Sequence, residues 1–334
     1  MSNSKDFTTK RLGVAIPTYR RPEQLKRCLE SVIRSAKDHT IPIYVLDDSG
    51  DSTNEDVIRE LMSQHPLLHH IRNAENLGID RNICKSVDVC ETDYVWLMGE
   101  DDRVTPEAIS EMLPLLDRGP AFVFANYTTV NETVSIVLHD AALDVSEDRQ
   151  MAADDFLAEY GWSAGFIGGC VVKRASWLKV DRAAYVGTYF AHIGTIFTAV
   201  AGKTILIKAK PLVLNRVGSP ETFTWRSSTF DVLNGWARLM DLMQAHYAES
   251  VRKRSLETFE QAHGLNTLKF LLYTRAGGVY DHALYERYIR PLNRSWLYHL
   301  AARCIAGGNR NIMHMLHRSF GQLRHQRGRR ISGY

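Results

Sequence analysis

Short apolar runs alternate with amphipathic stretches along the first third of the chain. Residues 11–17, RLGVAIP, read as a buried strand, because apolar positions follow one another without interruption. Residues 22–36 then read as a helix. Leu25, Cys28, Leu29, Val32 and Ile33 fall on one face, and Pro22 suits a first turn. The alternation continues with strand 42–47, helix 52–64, strand 68–73, helix 79–90, strand 93–98, helix 105–116 and strand 121–126. Ser52 or Thr53 is the expected cap of the second helix, and Pro106 the expected opening of the fourth. This rhythm predicts an α/β fold: a mostly parallel sheet flanked by helices. Residues 127–220 are mixed and hold a glycine-rich stretch, GWSAGFIGG, at 161–169. From about 228 the pattern is helical, with segments at 229–247, 250–276 and 281–304, and the stretch 309–330 mixes Ile, Met, Leu and Phe with Arg and His. Two parts are therefore expected: residues 1–225, and a helical C-terminal extension over 226–334.

Open parallel sheets bind ligands beyond the carboxyl ends of their strands. That rule singles out Thr18-Tyr19-Arg20, Asp47-Asp48-Ser49 and Glu100-Asp101-Asp102. The last group carries the most chemistry. Packed carboxylates repel one another and call for a cation. Hard oxygen ligands suit Mg²⁺ or Mn²⁺, with substrate phosphates completing the shell. A solvated loop capping the helix at 105 is the plain alternative. Asp47 and Asp48 can accept from a base imide or a ribose hydroxyl, although D-D-S-G-D-S is also rich in turn formers. Arg81, near a helix start, can bind a phosphate or stack on a base, unless it merely pairs with Asp80 on the surface.

Composition narrows the class. Apolar residues make up 45% and charged residues 24% of the 334 positions, as in a soluble globular protein. The five cysteines form no C-x-x-C pair, which argues against a zinc site or a disulfide framework and suits the cytosol. The N-terminus lacks an apolar signal core, and no run is long enough to span a bilayer. Charge is unevenly spread. Residues 287–334 carry ten arginines and no acid, whereas the first 286 residues have a net charge of −7. A basic, amphipathic tail on an acidic body points to an anionic partner. An anionic membrane surface is the favoured one, a helical homodimer contact another, and nucleic acid ranks below both. A dinucleotide fingerprint after the first strand, a complete P-loop, H-E-x-x-H and G-x-S-x-G are all absent from the sequence.

Four stretches together resemble the inverting glycosyltransferases of family 2. They are AIPTYRRPEQLKRCLESV, VLDDSGDST, NAENLGIDRN and DYVWLMGEDD, in the family's order and spacing over about 11–125. The version with NLG-x-DRN and W-x-x-G-x-DD is similar to abequosyltransferase-like enzymes of bacterial O-antigen assembly. The resemblance implies an A-type nucleotide-sugar fold, a nucleoside-diphosphate sugar as donor, and a saccharide acceptor, lipid-linked and met at the inner face of the cell membrane by a cytoplasmic, peripherally bound enzyme. It also implies roles. Pro17 and Tyr19 would line the base pocket, Asp48 would read the base, Arg81 would contact the nucleotide, Asp101 would touch the ribose, and Asp102 would hold the metal. Glu100 stands where the family's acidic triplet usually begins with Asp. The acceptor-side base is expected at a helix start after the glycine-rich loop, where the family has Glu-Asp. This chain has GTYFAHIGTIFTAV at 187–200, so His192 is the candidate, with Asp181 and Asp155 in reserve. A sugar-phosphate nucleotidyltransferase and a non-catalytic nucleotide-sugar-binding protein are the rival expectations.

Overall fold

The structure is a computed structural model that describes residues 11–218, 229–313, 315 and 329–330. The central strand β1 (Leu12–Thr18) is almost wholly buried. It pairs in parallel with β2 (Ile43–Asp47) on one side and β4 (Tyr94–Leu97) on the other, while β3 (Leu68–Arg72) extends the sheet beyond β2. Continuous apolar runs are what strands covered on both faces require. The helices α1 (Pro22–Ser35), α2 (Glu55–Met62) and α3 (Ile79–Asp88) connect these strands. Their crossovers bring the carboxyl ends of β1, β2 and β4 to one edge.

The rest of the sheet is mixed. Strand β5 (Arg103–Val104) precedes helix α4 (Ala108–Leu116), and β6 (Phe122–Val130) follows it. The short strands β7 (Ile136–His139) and β8 (Arg149–Ala152) lead to helix α5 (Ala153–Ala164). Strand β9 (Cys170–Lys173) then inserts antiparallel between β4 and β6. After the one-turn helix α6 (Arg174–Trp177) and helix α7 (Ala191–Val200) comes the long strand β10 (Thr204–Arg216), parallel to β6. The backbone of β11 (Arg329–Arg330) pairs with β7. The mostly parallel α/β sheet expected from the sequence is therefore the one observed, with an antiparallel insertion.

Four stretches differ from the periodicity, some for a tertiary reason and some for a local one. Helix α2 starts at Glu55 rather than Ser52, because Asp51 accepts from Thr53 N at 3.0 Å and Asn54 turns inward to Asp47. Helix α4 starts at Ala108, because 103–104 are drawn into pairing with β10 and Thr105 N donates to Leu212 O at 2.9 Å. Segment 250–276 divides into helices Glu249–His263 and Leu268–Ala276, where Gly264 adopts φ 61°, a left-handed C-terminal stop. Segment 281–304 likewise divides around Pro291, which has no amide hydrogen to donate, and Ser295 caps the helix Trp296–Gly307. Of the expected stretch 309–330, residues 314 and 316–328 lie outside the described residues.

The main core joins the sheet to the first C-terminal helices. Trp236, from helix Thr229–Leu242, stacks on Phe259 with centroids 4.4 Å apart, and both belong to that core. Thr258 Oγ1 also donates to Ala158 O of α5 at 2.8 Å. A second, smaller core gathers Phe230, Leu271, Tyr280, Tyr285 and Ile289. Among the described residues no helix is long and apolar enough to cross a membrane. All five cysteines are free thiols.

Candidate active site

The turn after β4 holds the acidic cluster, and it is built around Gly99. A Cβ on that residue would lie 2.3 Å from Asp102 Oδ2, so only glycine lets the carboxylate fold back over the turn. Asp102 N donates to Gly99 O at 3.2 Å, closing the turn. Asp102 is 4% exposed, and its Oδ1 accepts from Arg216 N at 3.0 Å. Glu100 Oε2 accepts from Tyr19 N at 2.8 Å, and its Oε1 is 3.3 Å from Arg21 Nη1. Asp101 Oδ2 is 3.7 Å from both Arg21 Nη1 and Arg216 Nη2. Three carboxylates thus face two guanidinium groups, leaving one negative charge if all are ionised. Burial raises the Glu100 carboxyl to about 7. Burial, and then the charge of Asp101, push Asp102 well above the usual carboxylate range. Such a site gains from a cation.

The donor set suits a divalent ion only in part. Among the described residues no group of three His, Cys, Asp or Glu could hold a metal alone. Asp101 and Asp102 can supply hard oxygens, which fits an ion whose remaining ligands are substrate phosphates and water.

Asp47 and Asp48 shape the adjoining wall. Asp47 is fully buried and accepts from Ser49 N and Asn54 Nδ2, each at 3.0 Å, and faces His70 Nε2 at 3.2 Å. Burial alone would raise its pKa, but the bonds from His70, Ser49 and Asn54 outweigh it and lower the value. Asp48 Oδ1 accepts from Asn73 Nδ2 at 2.9 Å and Leu77 N at 2.8 Å, and Oδ2 accepts from Gly78 N at 3.1 Å. Asp48 therefore holds the 73–78 loop, and one lone-pair direction on Oδ2 remains for a ligand. Tyr19, beyond the half-buried Pro17, is 44% exposed and carries the Arg20 guanidinium 5.4 Å from its ring centroid. Arg20 itself adopts φ 53° and pairs with Asp51 at 2.9 Å.

Arg81 stands exposed in the first turn of α3 and forms no ion pair with Asp80 among the described residues. Asp80 is committed elsewhere. Its carboxylate accepts from Gly187 N at 2.7 Å, Tyr189 N at 3.0 Å and Ala191 N at 3.1 Å. These bonds fix the start of α7 at the start of α3, on the carboxyl-end face of the sheet.

Of the three base candidates, that face receives only His192. It is 2% exposed, with Nε2 3.3 Å from Ala164 O and Nδ1 buried without a partner. Burial lowers its pKa to about 4, so the ring is neutral near pH 7. Asp181 caps the turn at 182–185 beside Arg182, which pairs at 2.9 Å with Asp88 at the far end of α3. That is roughly 12 Å along the helix from Asp80. Asp155 lies at the start of α5, next to the Ala152–Thr204 pairing, whereas Arg216 ends the same strand β10. The separation along the strand is roughly 30–40 Å. The structure thus sets both reserve carboxylates apart from the cluster.

Arg21 and Arg216 are the site residues that sequence reasoning overlooked. Arg21 adjoins the flagged Thr18-Tyr19-Arg20 triplet. Arg216 ends a strand, so the strand-end rule would have caught it had LVLNR been recognised as β10.

Residues 13–180 match the family model described as Glycosyl transferase family 2. The abequosyltransferase RfbV of Salmonella typhimurium (strain LT2) is 25% identical over 264 residues, covering 74% of this chain and 78% of that protein. A Campylobacter jejuni protein named GalNAc(5)-diNAcBac-PP-undecaprenol beta-1,3-glucosyltransferase is 22% identical over 148 residues, covering 44% of this chain and 47% of its own length. The crystal structure of S. aureus TarS 1-349 in complex with UDP-GlcNAc aligns with a TM-score of 0.55 and 14% identity, over 95% of this chain and 93% of that one. At that identity the likeness establishes the fold, which is the A-type fold. With the family model running from the first strand through the acidic turn to the β9 edge, this chain belongs to glycosyl transferase family 2 and is a glycosyltransferase.

Proposed function

We propose that this enzyme transfers a sugar, with inversion, from a nucleoside-diphosphate donor to a hydroxyl of a saccharide acceptor in bacterial surface polysaccharide assembly. The observation that carries the reading is the buried Asp102 at the carboxyl end of β4, in a cluster of three carboxyl groups whose ionisation burial and mutual repulsion oppose and a cation would favour. The similarity to an abequosyltransferase and to a glucosyltransferase named for an undecaprenol-diphosphate-linked saccharide supports a lipid-linked acceptor. Family membership sets aside the nucleotidyltransferase and the silent binding protein.

In this reading Asp102, with Asp101 beside it, would hold Mg²⁺ or Mn²⁺. The ion supplies charge neutralisation for the departing diphosphate. Tyr19 and Pro17 flank the base, Asp48 and Arg81 contact the nucleoside and phosphates, and Glu100 keeps the Tyr19 loop in place. The acceptor oxygen bonds to the anomeric carbon as the bond to the diphosphate breaks, and His192, the candidate acceptor-side base, would take the hydroxyl proton. Residues 1–225 form the donor-binding and catalytic part. Residues 226–334, helical over most of 229–307, form a C-terminal extension whose arginines would meet an anionic membrane surface on the cytoplasmic side, with a homodimer contact as their second use.

A thermal-shift series of nucleoside diphosphates with and without Mn²⁺ tests the donor. One base should raise Tm only with the metal, by RT ln(1 + [L]/Kd) in free energy. A flat response to every nucleoside diphosphate with Mn²⁺ would sink the reading. Gly99→Ala is expected to keep the fold and lower kcat by on the order of 10²-fold, because its Cβ displaces the Asp102 carboxylate. Wild-type kcat in that variant, alongside an unchanged far-ultraviolet spectrum, would contradict the need for this turn geometry.

A further inference from the structure

A recess of about 180 Å³ opens between α1, β5 and the approach to α4, just beyond the acidic turn, whose Gly99 O accepts from Cys28 Sγ at 3.4 Å. Arg27 and Arg34 line it from α1, and Arg103 lines it from β5. The positions 27, 30, 31 and 34 recur at the helical repeat, so one face of α1 brings both guanidinium groups and Glu30 to the same wall. The scaffold behind them is tied down. Ser31 Oγ accepts from Val104 N at 3.1 Å and donates to Cys28 O at 2.7 Å, while Arg103 sits in register with Leu214 of β10. The serine hydroxyl is thereby used, and the arginines are the recess's available donors.

These arginines differ from others on the protein. Arg59, Arg72, Arg182 and Arg254 each have a carboxylate partner. Arg27, Arg34 and Arg103 have no hydrogen-bond or ion-pair partner among the described residues, and Glu30, the carboxylate on the wall, pairs with none of them. Three unpaired guanidinium groups around one concavity form a donor-rich, positively charged surface. The planar fork of each matches two oxygens of a phosphoryl group, and such charge-assisted bonds are the strong class. With Glu30 on the wall, three arginines and one carboxylate leave a net charge of +2, which a monoanionic carboxylate matches only in half and a dianionic phosphate or a diphosphate matches in full.

We propose that this recess is a binding site for a phosphate-type oxyanion, separate from the diphosphate site of the sugar donor. The recess adjoins the acidic turn at Arg103, which follows Asp102, and extends from there along α1, where Arg34 lies roughly 10 Å beyond Arg27. The phosphoryl group is carried either by a free phosphate or diphosphate, or by a lipid headgroup. The inference stands whether or not the donor reading holds.

Calorimetric titration of the full-length protein with inorganic pyrophosphate, without metal, tests it. Wild type and Arg81→Gln should bind alike, and Arg27→Gln/Arg34→Gln should bind about 100-fold more weakly, near tenfold per arginine. Arg27→Lys/Arg34→Lys, which keeps the charge and loses the forks, should fall between, and guards against misfolding of the glutamine pair. Equal affinity in the Arg27→Gln/Arg34→Gln protein and wild type would overturn the proposal. So would binding that disappears in Arg81→Gln, because the anion would then occupy the donor site. Sedimentation with phosphatidylcholine vesicles, with and without phosphatidic acid, distinguishes the source. Loss of the phosphatidic acid increment in the Gln pair assigns a headgroup phosphate, and an unchanged increment beside weakened pyrophosphate binding assigns the free anion.

Discussion

Asp102→Asn is expected to lower kcat/KM by on the order of 10³-fold while leaving the fold intact. Loss of the metal's charge stabilisation is worth several kcal/mol in the transition state, and each 1.4 kcal/mol is tenfold in rate. The substitution is nearly isosteric, and Asn Oδ1 can still accept from Arg216 N, the bond that Asp102 makes at 3.0 Å. Stability should hold or rise near neutral pH, because burial and the neighbouring Asp101 oppose ionisation of this carboxyl in the folded protein, a cost that the neutral amide removes. The measurements are kcat/KM and Tm with and without Mn²⁺. Wild type should gain Tm on adding the ion together with the nucleoside diphosphate, and the variant should not. Wild-type turnover in Asp102→Asn would remove the cluster from the chemistry.

His192→Gln is expected to lower kcat by 10² to 10⁴-fold, the usual contribution of a positioned general base. The pH dependence separates this role from mere packing. His192 is held neutral, with a pKa lowered to about 4 by burial. As a base it should therefore stay competent down to about pH 4, and the acidic limb of kcat should lie there rather than near 6.5. Stability responds in the same window. Between pH 4 and 6.5 the unfolded chain binds more protons at this residue than the folded one, so stability is fully present above 6.5 and falls as pH drops toward 4. The total is about 3 kcal/mol at this position. His192→Gln should flatten that part of the stability profile relative to wild type. A flattened stability profile with undiminished kcat would make His192 a core residue only.

The strand-end acids were legible because a strand buried on both faces is written as a continuous apolar run, and ligand positions follow from where such runs stop. DYVWLMGEDD shows both features in ten residues, and so does IYVLDDSG. The base was harder to read. A base is defined by where an acceptor hydroxyl arrives, and that depends on α5 and α7 meeting across more than 25 residues of chain. Periodicity also overran helices where tertiary partners claimed the ends, as with Arg103 in β5 and Asn54 against Asp47.

Local rules in the chain determined the α/β rhythm, the central parallel strands, the acidic turn after β4 and the uneven charge, because these depend on neighbours within a few residues. Tertiary structure alone decided four other features. They are Arg216 closing on Asp101 and Asp102, Asp80 capping the start of α7, the burial that makes His192 a weakly basic neutral ring, and the convergence of Arg27, Arg34 and Arg103 on one recess. The reason is physical. Side chains distant in sequence interact only after the backbone has brought them together, and desolvation, which shifts the charged states here, depends on what the completed fold packs around each group.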